Sequence, residues 1–583
     1  MRLDEKSSSN ADKIFINGII YSIDDKSSVY EAMAIKEGRI VALGSNEEVK
    51  SWLKDKKEIV DLKFRVVLPG FIDTNCHISE RMMAKKDGLN LFNANNRNEY
   101  IKLIQSYADS HPEEEIIYGT GWRNSAFEED KECLDGYTEA FKGPNKKWID
   151  KIKTDKPIVL KSYDGHSLWL NNKAFEHFNI TKDTEVVNGG KIEINEKGEL
   201  WGTLKENAIN LVNINKKKAY TDKEYITSFI RYQSILHSHG VTTIGLIEKH
   251  EINMPLELYR RLEIIKKLKL RIVYGETILP EKICERSIYE QLHQLKRNKI
   301  IYNTKLFDVS IVKFFADGII ENMTAYLFKP YELSNEKSIK SNGSFLWEIN
   351  EFKEGIKMAN RLEFNVCIHA VGDFACKLAI DGVEYSSQNN MNKRYRNSLV
   401  HADLITKYYI RKMKILKINA IIQPFWFYKN VSLSKNEVLA IGKERAYRQY
   451  PLKSLIDTGI VTAVSSEEDT LIETNPLNAI ECATLRNLYD FIPSGYPEVV
   501  NMSDTRYRLN PSERISVAEA VKMVTINAAY VLGKEKEIGS LEIGKKADFI
   551  VLDKDVFNTK PLDISNINIE RTYFNGELVY LNE

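Results

Sequence analysis

Leu68-Pro69-Gly70-Phe71-Ile72-Asp73-Thr74-Asn75-Cys76-His77 is the stretch that decides how the rest of the chain is read. It begins apolar, breaks at Pro-Gly and continues as what reads as the end of a strand. Side chains alternate faces along extended backbone, so Asn75 and His77 point to one side and Cys76 to the other. Two imidazoles at that i, i+2 spacing would make a metal clamp. Here the first of the two positions is asparagine.

Working outward, the 583 residues leave room for one domain of ~250 residues with additions. Lys and Arg total 83 against 82 Asp and Glu, a balance that gives no reason to expect nucleic acid or an anionic membrane as partner. The six cysteines, Cys76, Cys133, Cys284, Cys367, Cys376 and Cys482, are scattered without a CxxC pair, the pattern of reduced thiols in a cytoplasmic enzyme. Met1 to Lys13 is polar, and no run approaches the ~18 apolar residues of a spanning helix. A soluble, cytoplasmic protein is expected.

Residues 13 to 67 read as short strands. Asn17-Gly18 separates Ile14–Ile16 from Ile19–Ile23 and signals a hairpin; Lys36-Glu37-Gly38 separates Ala32–Ile35 from Arg39–Leu43 in the same way. Such hairpins need a partner sheet. The far end supplies one: Ile538 to Asp553 closes on a strand that reads as buried, and Ile569 to Val579 reads as a hairpin about Asn575-Gly576. The economical arrangement joins residues 1–67 and 536–583 in one small β-sandwich and leaves 68–535 as the main domain. Two unrelated β-rich tails are the alternative.

Within 68–535, strand-like runs alternate with helical patterns: Ile158–Leu160, Val241–Ile244, Leu270–Tyr274, Val309–Phe315, Asn365–His369, Asn419–Gln423 and Val461–Ser465, with helices such as Tyr225–Ser238 and Glu351–Leu362 between them. This alternation argues for a parallel α/β sheet or barrel. Residues ~80 to 215 fit the alternation poorly and read as an insertion. In such a barrel, functional side chains come from the C-terminal ends of strands. Lys313 stands in an apolar strand, where an amine is costly unless paired, altered or snorkelling to an edge. His369 ends a strand before a Gly-Asp turn, His401 ends another, and Ser465-Ser466-Glu467 follows a third.

Taken in order, these segments resemble the amidohydrolase superfamily, and within it amidohydrolase family 3, whose members include N-substituted formamide deformylase. Residues 68–77 resemble the PGFID-x-H-x-H signature, with Asn75 at its first His. The segments Gly119-Thr120-Gly121-Trp122, Asp164-Gly165-His166-Ser167-Leu168-Trp169, Val312-Lys313 to Asp317-Gly318, and Ile368-His369-Ala370-Val371-Gly372-Asp373 resemble further motifs of that family. So do Gln423-Pro424, Asn475-Pro476-Leu477, Ala483 to Arg486 and the tail Ile538 to Asp553. The resemblance implies a distorted (β/α)8 TIM barrel with an end-to-end β-sandwich. It also implies a lysine, Lys313, that family members can carboxylate to bridge metals, metal-ligand roles for His369 and His401, and a place for His166 on the substrate side. Val400 stands where the family usually has Glu, and Glu467 falls on the position of an Asp that binds metal and acts as general base.

His77, His369, His401 and Glu467 could complete a four-coordinate site, and Asn75 could add an amide oxygen, a poor zinc donor. One divalent metal, zinc by donor type, is therefore expected rather than two. The expected activity is hydrolysis of an amide, formamide or cyclic amide of a small molecule, with Glu467 as base and Lys313 and His166 as further catalytic groups. Metal-free or lyase-type chemistry on the same fold and a non-catalytic binding protein are the alternatives. The aromatics Phe425 to Tyr428 fit a pocket wall or loop packing equally. A homodimer is the base-rate expectation.

Overall fold

The computed structural model describes residues 11–582 apart from 53–57, 79–87, 93, 95, 128–140, 213–219, 249–253, 285, 333–340, 391–394, 430–432, 468–474 and 488–504. Cys133 lies outside the described residues.

Eight strands form the central sheet: β1 (Phe71–Cys76), β2 (Val241–Glu248), β3 (Arg271–Thr277), β4 (Phe307–Phe315), β5 (Asn365–Ala370), β6 (Ser398–His401), β7 (Asn419–Ile422) and β8 (Thr462–Val464). They lie side by side in chain order, every neighbouring pair parallel. Helices fill the crossovers: α1 (Asp222–Ser238) before β2, then α2 (Leu256–Ile264), α3 (Ile288–Tyr302), α4 (Ile349–Arg361), α5 (Asp373–Asn389), α6 (Lys407–Leu416), α7 (Leu452–Asp457) and, after β8, α8 (Pro476–Leu485). Local sequence sets where several of these begin. Thr221 with Glu224 and Ser287 with Glu290 form capping boxes that satisfy the first free N–H groups of α1 and α3. The first and last strands meet across the seam, where Thr74 Oγ1 donates to the Val464 carbonyl at 2.7 Å and Ser466 N to Asp73 Oδ1 at 3.1 Å. The chain is a TIM barrel with additional sheets.

The barrel interior is filled by one residue from each strand: Ile72, Ile247, Val273, Ile311, Cys367, Val400, Ile421 and Ala463, packed from below against Ala528, Val531 and Leu532. This layer positions the site. Strand side chains repeat every second residue, so Lys313, His369, Gln423 and Ser465 stand one layer above Ile311, Cys367, Ile421 and Ala463.

Both chain ends share a six-stranded sheet in which Val66–Pro69 pairs antiparallel with Phe549–Leu552 and parallel with Ile19–Tyr21. A four-stranded sheet of Lys13–Ile16, Ala32–Lys36, Arg39–Gly44 and Glu58–Asp61 packs on it through Phe15, Met33, Phe549 and Tyr573. The hairpins about Lys36–Gly38 and Asn575-Gly576 form as read. The one read at Asn17-Gly18 does not. Lys13–Ile16 and Ile19–Tyr21 lie in different sheets, because the chain turns sharply there with Asn17 at φ 55° and crosses from one layer to the other.

The segment between β1 and β2 contains a third sheet of six strands, running in order Lys191–Ile194, Leu200–Lys205, Ser167–Leu170, Ile158–Ser162, Ile117–Trp122 and Leu89–Asn90. Ile158–Leu160, read as part of the barrel alternation, belongs to this sheet. Its core is built on Tyr100, Trp122, Phe127 and Trp169. The Gly119–Trp122 motif serves that packing. A Cβ at Gly121, whose φ is 106°, would meet the Phe92 backbone nitrogen at 2.7 Å, and Trp122 Nε1 donates to the Leu160 carbonyl at 2.8 Å. Among the described residues no helix is long and apolar enough to cross a membrane.

Candidate active site

The C-terminal ends of β1, β4, β5, β6 and β8 bring Asn75, His77, Lys313, His369, His401 and Glu467 to one end of the barrel. Lys313 is fully buried, its Nζ 3.5 Å from Asn75 Oδ1 and 5.2 Å from the centre of the Phe315 ring. Asn75 Nδ2 donates to Glu467 Oε1. Glu467 Oε2 lies 3.3 Å from His77 Nε2, and Oε1 lies 3.8 Å from His401 Nε2. The backbone is strained at two of these positions: His401 has φ 74° and Glu467 φ 53°, left-handed values uncommon for residues other than glycine.

Each imidazole is held from behind. His77 Nδ1 lies 2.7 Å from the Ile247 carbonyl, an acceptor only, so Nδ1 carries the proton. His401 Nδ1 lies 2.9 Å from Gln423 Oε1, and Gln423 is oriented by Nε2 donating to Ser465 Oγ at 2.7 Å. His369 uses its other nitrogen: Nε2 lies 3.3 Å from the Gly318 carbonyl, which leaves Nδ1 unprotonated. Burial lowers the His401 pKa to about 4 and holds that of His369 well below the ordinary value, so both rings are neutral at pH 7. Burial alone would raise the Glu467 carboxyl. His401, Lys313 and His77 beside it pull it below the ordinary carboxylate range.

A neutral imidazole lone pair facing an ionised carboxylate calls for a cation between them. His77, His369, His401 and Glu467 supply three nitrogens and an oxygen, a donor set that suits one divalent ion, with the outer nitrogen of each ring already anchored as metal-binding histidines require. Among the described residues no group of three or more His, Cys, Asp or Glu stands close enough to form a metal cage. Glu467 faces Nε2 of His77 and of His401, and the His369 ring centre lies 4.5 Å from that of His401.

A family model described as the amidohydrolase family matches residues 58–580. The chain belongs to the amidohydrolase family. It is 26% identical over 582 residues to Protein LONG AFTER FAR-RED 3 of Arabidopsis thaliana, covering 98% of this chain and 92% of that one. It is 22% identical over 583 residues to N-substituted formamide deformylase of Arthrobacter pascens, covering 98% of each. Among solved structures it is similar to an uncharacterised metal-dependent hydrolase from Pyrococcus horikoshii, with a TM-score of 0.67, 24% identity, and coverage of 94% of this chain and 99% of that one. Members of this family are generally metal-dependent hydrolases that act on small molecules.

Other residues singled out from sequence fall around this centre in different ways. His166 comes in from the third sheet, on the turn between Ile158–Ser162 and Ser167–Leu170, and its ring centre lies 5.7 Å from that of His369. Of the aromatics after Gln423, Phe425, Phe427 and Tyr428 pack into the core. Trp426 stacks on His401 at 5.8 Å and 12°. Arg486 points away from the site: buried, it donates to the backbone carbonyls of Leu509, Tyr450 and Gln449. Asp317 braces the loop after β4 by accepting from Val371 N, Gly372 N and Tyr326 N at 3.0, 2.8 and 2.8 Å, and burial pushes its carboxyl up to about 8. Sequence reasoning missed Glu206, which hydrogen-bonds His166. The signal available was a Lys-Glu pair, Lys205-Glu206, closing an otherwise apolar strand.

Proposed function

We propose that this protein hydrolyses a non-peptide C–N bond, an amide or N-substituted formamide of a small molecule, at a site holding one divalent ion, zinc by donor type. The observation that carries the reading is the pair of anchored imidazoles, His77 and His401, presenting Nε2 to the Glu467 carboxylate. His77, His369, His401 and Glu467 would hold the ion. When bound, it supplies Lewis acidity that polarises the carbonyl and makes water more acidic. Glu467 takes the proton of the attacking water, its position kept by the Asn75 amide. Lys313 balances the carboxylate charge from beneath, and Asn75 stands where a further imidazole would serve a second metal. His166, whose ring centre lies 5.7 Å from that of His369, would serve the leaving nitrogen from the added sheet. The full-length likeness to N-substituted formamide deformylase supports formamides as the first substrates to try.

The test is metal analysis of protein purified without chelators, together with turnover of a formamide and amide panel. About one zinc per chain is expected, with Glu467→Gln losing turnover by ~10²-fold or more. A chain that takes up less than about 0.2 metal on reconstitution would refute the reading. So would turnover that survives His369→Ala.

A further inference from the structure

We infer that Glu206 is the positioning residue of a second arm of the site, acting through His166 to deliver a proton to the leaving nitrogen. The inference rests on the hydrolytic reading above and adds a residue to it.

Glu206 follows directly on the strand Leu200–Lys205 and is buried, its side chain 3% exposed. Its Oε2 lies 2.8 Å from His166 Nδ1, and its Oε1 accepts from Thr324 Oγ1 at 2.6 Å. The backbones are tied as well, Glu206 N donating to the His166 carbonyl at 3.0 Å. The chain accepts a left-handed φ of 48° at Glu206 to make this geometry. Gly318 makes room for it: a Cβ there would collide with the Glu206 carboxylate and the Thr324 hydroxyl. The same Gly318 carbonyl holds His369 Nε2 at 3.3 Å, so one glycine separates the Glu206–His166 pair from the metal-side histidine.

Further ties fix the third sheet to the barrel at this point. Lys205 Nζ, fully buried, donates to the Asn322 carbonyl at 3.3 Å, and Asn322 Nδ2 donates to Ser167 Oγ at 3.3 Å, next to His166.

The chemistry follows from which nitrogen is held. A carboxylate behind Nδ1 fixes the ring with Nε2 toward the site and balances the charge of its protonated form. As the C–N bond breaks, the departing nitrogen takes the Nε2 proton, leaving His166 neutral with Nδ1–H on Glu206. Water has formed the new C–O bond and given its proton to Glu467. That proton returns through solvent to His166, so amide and water become carboxylic acid and amine with no net change in the protein. Glu467 and His166 thus divide the work of base and acid.

Glu206→Gln keeps shape and acceptor but removes the charge. On an N-alkylformamide, whose amine leaves only when protonated, kcat should fall about 100-fold with KM little changed; on N-(4-nitrophenyl)formamide the fall should be under about threefold. In a His166→Ala background, Glu206→Gln should cost nothing further. Equal losses on both substrates, or additive losses with His166→Ala, would overturn the inference. A measurement free of turnover accompanies it: long-range proton–nitrogen correlation spectra, recorded at a pH where the ring is neutral. They should show His166 locked as the Nδ1–H tautomer in the wild type and released in Glu206→Leu, which removes the acceptor, and an unchanged spectrum also overturns it. If the metal-loaded wild type hydrolyses neither substrate, the hydrolytic reading and the acid role fall together. A tautomer released by Glu206→Leu would then leave the positioning of His166 standing.

Discussion

Removing the Asp548 carboxylate should loosen the protein without touching its chemistry. Asp548 Oδ2 lies 3.0 Å from Arg271 Nη2 in a pair only 3% and 4% exposed, while its Oδ1 accepts from Asn575 N at 2.7 Å. Arg271 opens β3 at the end of the barrel opposite the site, and Asp548 immediately precedes the end-sheet strand Phe549–Leu552. Asp548→Ala therefore leaves a buried guanidinium without its counter-charge, a loss of ~3–5 kcal/mol. At ~2.1 cal/mol/K per residue, the unfolding entropy of a chain this long is ~1.2 kcal/mol/K, so the melting temperature should fall by about 3 °C. Replacing both partners, Arg271→Met with Asp548→Leu, should recover most of that, because exchanging a buried pair for packed apolar groups is close to neutral. Scanning calorimetry at pH 7 measures the shift, and kcat should stay at the wild-type value in both variants. A double variant as unstable as the single, or an Asp548→Ala protein that keeps its melting temperature and loses turnover, would refute the division between a stabilising and a catalytic end of the barrel.

Asn75→His should restore the imidazole pair with His77 and raise zinc affinity by about tenfold or more, since an amide oxygen is a poor zinc donor; competition against a chromophoric chelator reads it, and unchanged affinity would show that Asn75 does not occupy a ligand position. Glu481, buried and accepting from Ser565 N at 2.7 Å, has its carboxyl pushed up to about 7 by burial, so the folded state binds the extra proton and stability falls as pH rises from 4.5 to 7. Glu481→Gln should remove ~3 kcal/mol of that slope and be the more stable protein at pH 8; parallel denaturation curves at pH 5 and 8 would contradict this.

The barrel was legible because each of its strands carries its own signal: a short apolar run ending in a polar group, as in Val312-Lys313 or Ile368-His369, with a helix to follow. The end sheets were legible where a turn obeyed local rules, as at Asn575-Gly576, and misread at Asn17-Gly18, where a good hairpin dipeptide serves a crossing between two layers. Turn chemistry fixes local backbone shape and not which sheet the next strand joins. The third sheet was the least legible part. Its strands are short, and several run as antiparallel neighbours that meet only in three dimensions, so no period announces them. Glu206 went unseen for the same reason: it lies 40 residues from His166, and only the pairing of Ser167–Leu170 with Leu200–Lys205 brings them together.

The two departures from the family pattern, Asn75 and Glu467, meet in space, and this changes how each is understood. Read singly, Asn75 is a lost ligand and Glu467 a carboxylate one methylene too long. In the structure the longer side chain reaches the Asn75 amide as well as His77 and His401, and the amide in turn accepts from Lys313. An unprotonated imidazole at position 75 would put another lone pair against that carboxylate, whereas the carboxamide offers it a donor. The asparagine therefore suits the glutamate, and together they connect β1 to the end of β8 across the seam where the sheet itself has no ladder between its first and last strands. The buried ammonium of Lys313, which in an ordinary two-metal centre would be altered to serve as a bridge, is here accommodated by an amide oxygen, and the charge of Glu467 offsets its own. What the altered pair preserves is the face of Glu467 toward His77 and His401, on which the hydrolytic reading proposed above rests.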